Sequence, residues 1–131
     1  MKGYLADIET LTEENAAFRQ VLYTGHNLQL VLMALTPGQD IGVETHATHD
    51  QFFRIEKGHG EAVIDGVSHR IKGGDALIVP AGAKHNLINT GDISLRLYTI
   101  YGPPNHRDKL LEDTKAEAEA SREVFDGVTS E

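Results

Sequence analysis

Short β-forming runs recur about every ten residues between Phe18 and Tyr101, and turns that contain Gly or Pro separate them. Asp65-Gly66, between two alternating runs, is the strongest hairpin signal of the chain. A chain of 131 residues with about nine such strands and no internal repeat is typical of one all-β domain. The pattern therefore predicts a single barrel or sandwich, with residues 18–101 forming the β-structure.

One of these runs, residues 28–35, is apolar on both of its alternating faces. A strand that is apolar on both sides needs a cover on each side. A partner chain in a homodimer is the favoured cover for the outer face, and the N-terminal segment folded back is the alternative. We expect Leu28, Leu30 and Leu32 to fill the core, and Val31, Met33 and Leu35 to form the outer face.

The two ends of the chain differ from the central part. Leu5, Ile8 and Leu11 recur at helical spacing, which predicts that residues 1–17 form a short arm packed on the β-domain. Residues 108–126 are rich in Ala and Glu, and Thr114 begins a segment with the form of a capping box. We therefore expect a C-terminal α-helix over 108–126.

Charge and composition exclude several classes of function. A net charge of −8 argues against nucleic-acid binding and against docking on anionic membranes. The chain has no cysteine, so no disulfide, thiolate nucleophile or cysteine-ligated metal is possible. The first residues contain no apolar run of signal-peptide length, and no apolar span is long enough for a membrane helix. These features favour a cytoplasmic protein.

Two segments, 42–51 and 74–85, carry metal-capable side chains near the ends of predicted strands. Neither segment holds enough ligands alone, so we expect folding to bring them together around one divalent ion. Two imidazoles, one carboxylate and an amide suit Fe(II), Mn(II), Ni(II) or Zn(II), and the site then carries a formal charge of +1. Such an ion stays Lewis-acidic towards an oxygen-rich small molecule. The candidate ligands are Glu44, His46, Gln51 and His85.

The second segment resembles the second signature motif of the cupin superfamily, which runs Gly, five residues, Pro, one, Gly, two, His, three, Asn. Every position is matched, by Gly74, Pro80, Gly82, His85 and Asn89. The resemblance implies a double-stranded β-helix, or jelly-roll, barrel with a metal site. The most similar cupins are small single-domain bacterial proteins that are often labelled mannose-6-phosphate-isomerase-like.

The first cupin motif is altered in this chain. That motif contains two histidines, then a glutamate, then a closing glycine, which is Gly58 here. Counted back from Gly58, Glu44 takes the position of the first histidine, His46 that of the second histidine, and Gln51 that of the glutamate. One His has become Glu and the usual Glu has become Gln, so four candidate ligands and one negative charge remain. The altered ligand set therefore predicts that a metal is still bound, with a changed preference for which metal.

The other polar residues receive structural interpretations. His49 is expected in a solvent-facing position or at the mouth of the barrel, and Lys84 in solvent. Asp75 and Asn89 are expected to make turn hydrogen bonds, while Phe53 and Leu87 line the core. The remaining histidines are expected in turns, loops or outward positions without a partner: His26, His59, His69 and His106.

Three functions agree with these features, and fold and motif do not decide among them. The first is a metal-dependent isomerase acting on a sugar phosphate or a keto acid. The second is an Fe(II)-dependent dioxygenase, which the subset of two histidines and one carboxylate favours. The third is a non-catalytic cupin that binds a small ligand or a metal.

Overall fold

The computed structural model describes residues 1–131 and contains ten strands and two helices. The helices are α1 (Ile8–Glu14) and α2 (Lys115–Ala120). The strands are β1 (Arg19–Thr24), β2 (Gln29–Leu35), β3 (Glu44–Thr45), β4 (Asp50–Lys57), β5 (His59–Ile64), β6 (Val67–Lys72), β7 (Ala76–Val79), β8 (Lys84–Asn89), β9 (Leu95–Gly102) and β10 (Leu111–Glu112).

Two antiparallel sheets enclose the core. The six-stranded sheet has the order β10-β1-β2-β9-β4-β7, and the four-stranded sheet has the order β3-β8-β5-β6. The predicted hairpin at Asp65-Gly66 is confirmed: both residues have positive φ, and Ile64 pairs with Val67 across the turn. The all-β jelly-roll prediction is therefore confirmed.

The core faces of β2 are the reverse of those predicted. Val31, Met33 and Leu35 are at most 1 % exposed and belong to the hydrophobic core, whereas Leu28 is 47 % exposed. Leu32 is buried as expected, at 2 % exposure, but it lies outside the core cluster. The alternation of β2 was correct, but both of its faces are apolar, so the sequence pattern alone could not tell which face turns inward. A homodimer through Val31, Met33 and Leu35 is therefore wrong.

The N-terminal segment covers part of the outer face of the six-stranded sheet. Its side chains form an apolar groove with β2 and β9, and Arg96 of β9 donates to the carbonyl of Glu13. The arm predicted for residues 1–17 is thus packed on the β-domain and contains one helix of about two turns, α1. The residues lining the groove are Tyr4, Leu5, Ala6, Ile8, Leu30, Tyr98 and Ile100.

The C-terminal helix is present but shorter than the predicted 108–126. Thr114 caps it by accepting a hydrogen bond from the Glu117 N–H, and the chain is extended again at Ser121. No residue of α2 is fully buried, so little packing stabilises further turns. Before the helix, β10 pairs with β1, a short strand that the sequence did not predict.

Neither helix is long and apolar enough to cross a membrane. The two helices instead lie at the periphery of the sheets, where α1 contacts β9 and β4 and α2 follows β10.

Candidate metal centre

Three of the four candidate ligands come together at one end of the barrel. Glu44 of β3 lies directly opposite His85 of β8 in the antiparallel ladder. His46 follows two residues after Glu44, and its carbonyl accepts a hydrogen bond from the Gly82 N–H at 2.8 Å, which ties the two ligand segments together. The ligand atoms of Glu44, His46 and His85 all lie within 4.8 Å of one another, a spacing that one metal ion can bridge.

Glu44 and His46 interact directly: His46 Nε2 lies 2.8 Å from Glu44 Oε2. Burial alone would raise the pKa of the Glu44 carboxyl, but the hydrogen bond with His46 and the charge of Arg19 hold that pKa below its ordinary value. The carboxylate is therefore ionised at neutral pH and available as an anionic ligand.

His85 is oriented by its second ring nitrogen. Its Nδ1 lies 3.1 Å from the Ala83 carbonyl oxygen, which can only accept, so Nδ1 carries the proton. The other nitrogen, Nε2, is then an acceptor, and it is buried without any hydrogen-bond partner. A backbone carbonyl that fixes the tautomer of an imidazole is the usual second contact of a metal-ligating histidine.

Gln51 also presents a free acceptor in the interior. The Thr99 hydroxyl donates to the Phe52 carbonyl at 2.9 Å, so its oxygen accepts from Gln51 Nε2 at 3.0 Å. This arrangement fixes the amide orientation and leaves Gln51 Oε1 buried without a partner. Direct ligation by Gln51 stays a prediction, but the orientation of its amide agrees with a cation or a metal-bound water nearby.

The residues present fit a divalent ion. Buried acceptors without partners are rare, and two of them, His85 Nε2 and Gln51 Oε1, occur among the four candidate ligands.

His49, three residues after His46, does not join the cluster of candidate ligands. Its Nε2 lies 3.0 Å from the Pro104 carbonyl, and its ring packs edge-on against His46. His49 is half-buried beside His46. His26, His59 and His69 are exposed and stand outside the cluster, as expected.

The structural interpretations of the other polar residues are also confirmed. Asp75 accepts from the Lys72 N–H, and Asn89 bridges the turn that ends at Gly91. Lys84 is exposed, and Phe53 and Leu87 are fully buried in the core.

His106 lies in a loop, as predicted, but the expectation that it has no partner was wrong, because it is buried and bonded on both sides. His106 Nδ1 lies 2.6 Å from Glu123 Oε1, and Nε2 lies 3.2 Å from the Tyr101 hydroxyl. Burial raises the pKa of Tyr101, and the Glu44 carboxylate raises it further. The chain Glu123–His106–Tyr101 therefore reaches the ring of His46, whose centroid lies 5.7 Å from that of Tyr101.

Sequence reasoning also missed a buried ion pair. Arg19 Nη1 donates to Glu112 Oε1 at 2.8 Å, and both side chains are less than a tenth exposed. Arg19 of β1 pairs with the core residue Met33 of β2, so its side chain faces the interior. Arg19 and Val21 are two residues apart and therefore share a face of β1, which was the one sequence feature that could have placed Arg19 inside. Arginine is rarely assigned to a core position.

The chain belongs to the cupin family: the family model described as "Cupin domain" matches residues 31–101. The uncharacterized protein YrkC of Bacillus subtilis is 41% identical over 128 residues, which are 93% of this chain and 69% of YrkC. The crystal structure of BH2720 from Bacillus halodurans has a TM-score of 0.90 at 39% identity and covers 92% of this chain and 96% of that one.

A more distant structure carries a functional description. The crystal structure of a predicted oxalate decarboxylase from Thermotoga maritima has a TM-score of 0.56 at 27% identity. The match covers 57% of this chain and 65% of that chain.

Proposed function

We propose that this cupin is a metal-dependent enzyme that acts on a small oxygen-rich metabolite, with isomerisation of a sugar phosphate or a keto acid as its reaction. The observation that carries the proposal is the cluster of Glu44, His46 and His85, in which the buried His85 Nε2 has no partner. A purely structural histidine would have its second nitrogen bonded as well.

In this proposal Glu44, His46 and His85 hold the ion, with Gln51 as a fourth ligand or as the anchor of a metal-bound water. A divalent ion in such a donor set supplies Lewis acidity towards substrate oxygens. The Ala83 carbonyl holds the His85 ring in place, and the hydroxyl of Thr99 holds the Gln51 amide. The walls formed by Phe53 and Leu87 exclude water from the inner side.

The substrate class is supported by two kinds of likeness. The small bacterial cupins that this chain resembles are labelled mannose-6-phosphate-isomerase-like, which favours aldose–ketose exchange. The Thermotoga maritima structure is described as a predicted oxalate decarboxylase, which favours small carboxylic acids. Both classes offer two neighbouring oxygens, and a single Lewis-acidic ion binds such pairs well.

A dioxygenase is the second candidate, and the composition of the cluster favours it. Two histidines and one carboxylate with open positions are the donor set of non-haem Fe(II) oxygenases. In that case the same three residues hold Fe(II), and the reaction consumes O₂.

The test is a turnover screen of metal-loaded protein against aldose and ketose phosphates and 2-oxo acids, with and without O₂. We expect isomerisation without O₂ in the wild type and none in Glu44→Gln, which keeps the size of the side chain but removes its charge. Turnover only with O₂ uptake would favour the dioxygenase. Thermal stabilisation by a metabolite without any turnover would instead indicate a binding protein.

A further inference from the structure

A small pocket lies beside the candidate metal centre, between the barrel and the C-terminal helix α2. Its volume is about 220 Å³, which is below the ~300–1,000 Å³ of sites for drug-sized ligands, so it fits a compact metabolite. Glu44 belongs both to this pocket and to the metal cluster, so a molecule in the pocket lies next to the proposed ion. The pocket is lined chiefly by Phe18, Arg19, Ile41, Glu44, Lys115 and Ala118.

Arg19 is the buried cation of this pocket, and most of its hydrogen-bonding capacity is unused. The residue is 8 % exposed, yet its guanidinium makes one hydrogen bond, from Nη1 to Glu112. Its Nε is buried and has no partner. A guanidinium carries five N–H donors, and leaving buried donors unpaired is costly unless a ligand completes them.

The surroundings of Arg19 hold its planar group in a defined position. Its guanidinium lies over the Phe18 ring, with the central carbon 5.3 Å from the ring centroid, and Glu112 fixes one nitrogen. The two terminal nitrogens, of which Nη2 makes no hydrogen bond and is not fully buried, are a preformed site for a planar anion, because the fork of a guanidinium matches a carboxylate with two parallel hydrogen bonds.

The charges around the pocket favour a carboxylate over a phosphate. Besides Arg19, the only cation lining the pocket is Lys115, which is already paired with Asp40 and Glu119. A doubly charged phosphate would meet the nearby carboxylates of Glu44 and Glu119, and the charge of Arg19 is already shared with Glu112. A singly charged, flat carboxylate needs less compensation and fits the apolar walls.

We propose that this pocket binds the carboxylate of a small 2-oxo or 2-hydroxy acid through Arg19, beside the metal centre at Glu44. The inference rests on the proposed metal-dependent function and narrows its substrate class to acids with an oxygen next to the carboxylate. Arg19 then acts as the specificity-determining residue, and the pocket excludes neutral sugars of similar size.

The experiment measures binding of pyruvate and of inorganic phosphate to the Mn(II)-loaded protein by calorimetry, after metal content has been determined for each variant. Arg19→Lys keeps the charge beside Glu112 but removes the fork, and Arg19→Met with Glu112→Gln removes the ion pair without leaving a buried charge. Arg70→Lys, the same change at an exposed arginine on β6, is the matched control. Thermal midpoints show that each variant is folded.

We expect pyruvate to bind the wild type and Arg70→Lys equally, and to bind at least about tenfold more weakly in both Arg19 variants, at unchanged metal content. Three results at full metal content would overturn the carboxylate pocket and leave the metal-dependent function standing. These are no binding of pyruvate, equal binding of pyruvate by the wild type and the Arg19 variants, and tighter binding of phosphate than of pyruvate. No metal uptake, with pyruvate binding that still depends on Arg19, would support the pocket and refute the proposed function.

Discussion

Glu44 and His85 face each other across the ladder between β3 and β8, and this register brings the two halves of the candidate metal site together. β3 has two residues, so its position depends on this pairing and on the nearby hydrogen bond from Gly82 to His46. The carboxylate of Glu44 and the Nε2 of His85 therefore meet because the backbone holds them there.

Removal of either side chain is expected to lower metal occupancy without unfolding the chain. Glu44→Ala removes the one anionic ligand, and His85→Ala removes the buried imidazole, so each should lower metal occupancy by at least about tenfold. His69→Ala, an exposed histidine on β6, is the matched control and should keep its metal. Elemental analysis with circular dichroism provides the measurement, and full occupancy in both ligand variants would place the site elsewhere.

Gln51 is expected to tune the affinity for the ion. Gln51→Leu has a similar volume but removes the free Oε1, and it should weaken metal binding by about 10–100-fold, whether the amide binds the ion or orients its water. Gln51→Glu supplies an anionic oxygen and should bind the metal more tightly than the wild type. Competition with a chelator measures both affinities. Identical affinities in the three proteins would mean that Gln51 does not face the ion.

Acid should weaken the C-terminal segment through Glu123. Burial alone would raise the pKa of this carboxyl, but the hydrogen bonds with His106 and with the Arg107 N–H hold it below its ordinary value of 4.5. Because the folded-state pKa is depressed, the stabilisation is complete above pH 4.5 and is lost as the pH falls through the folded-state pKa.

The measurement is the thermal midpoint of the wild type and of Glu123→Gln between neutral and acidic pH. We expect the variant to be less stable at neutral pH, and the difference to shrink as the pH falls below 4.5. Glu14→Gln, an exposed change on α1, should follow the wild type throughout. A difference between wild type and Glu123→Gln that stays constant with pH would contradict this role.

The homodimer remains a prediction, but the interface that we now expect is the outer face of the six-stranded sheet. A row of apolar side chains crosses four strands of this face in register. The N-terminal arm covers the row at Leu30, whereas Ile78 on the edge strand β7 is 66 % exposed. A second copy related by a two-fold axis would cover the rest. The row consists of Leu30, Ile100, Phe52 and Ile78.

Light scattering at micromolar concentration tests this surface. We expect a dimer for the wild type and a monomer for Ile78→Glu. Val43→Glu adds the same charge at an exposed site beside β3 and should remain a dimer. A monomeric wild type would refute the dimer, and a dimeric Ile78→Glu would place its interface on another surface.

Most of the strands and the His85 segment were predictable because they depend on local patterns. Asp65-Gly66 specifies its turn through backbone conformation, and the spacing from Gly74 to Asn89 specifies a corner that turns His85 inward. The core face of β2 was not predictable, because alternation reports two faces and hydrophobicity distinguishes them only when one face is polar.

The contacts made by the C-terminal segment depend on the path of the chain. Glu123 lies 17 residues from His106 and reaches it because the helix ends at Ala120 and the chain becomes extended. Arg19 and Glu112 are 93 residues apart and meet because β10 pairs with β1. No local pattern in the sequence reports either contact, so the buried charges around the candidate site appeared only in the structure.

The central claim is that Glu44, His46 and His85 hold a divalent transition metal, and metal analysis of the protein as expressed tests it most directly. We expect about one equivalent of Fe, Mn, Ni or Zn per chain, or its recovery when the protein is dialysed against one of these ions. Less than about a tenth of an equivalent, with none taken up on dialysis, would contradict the claim.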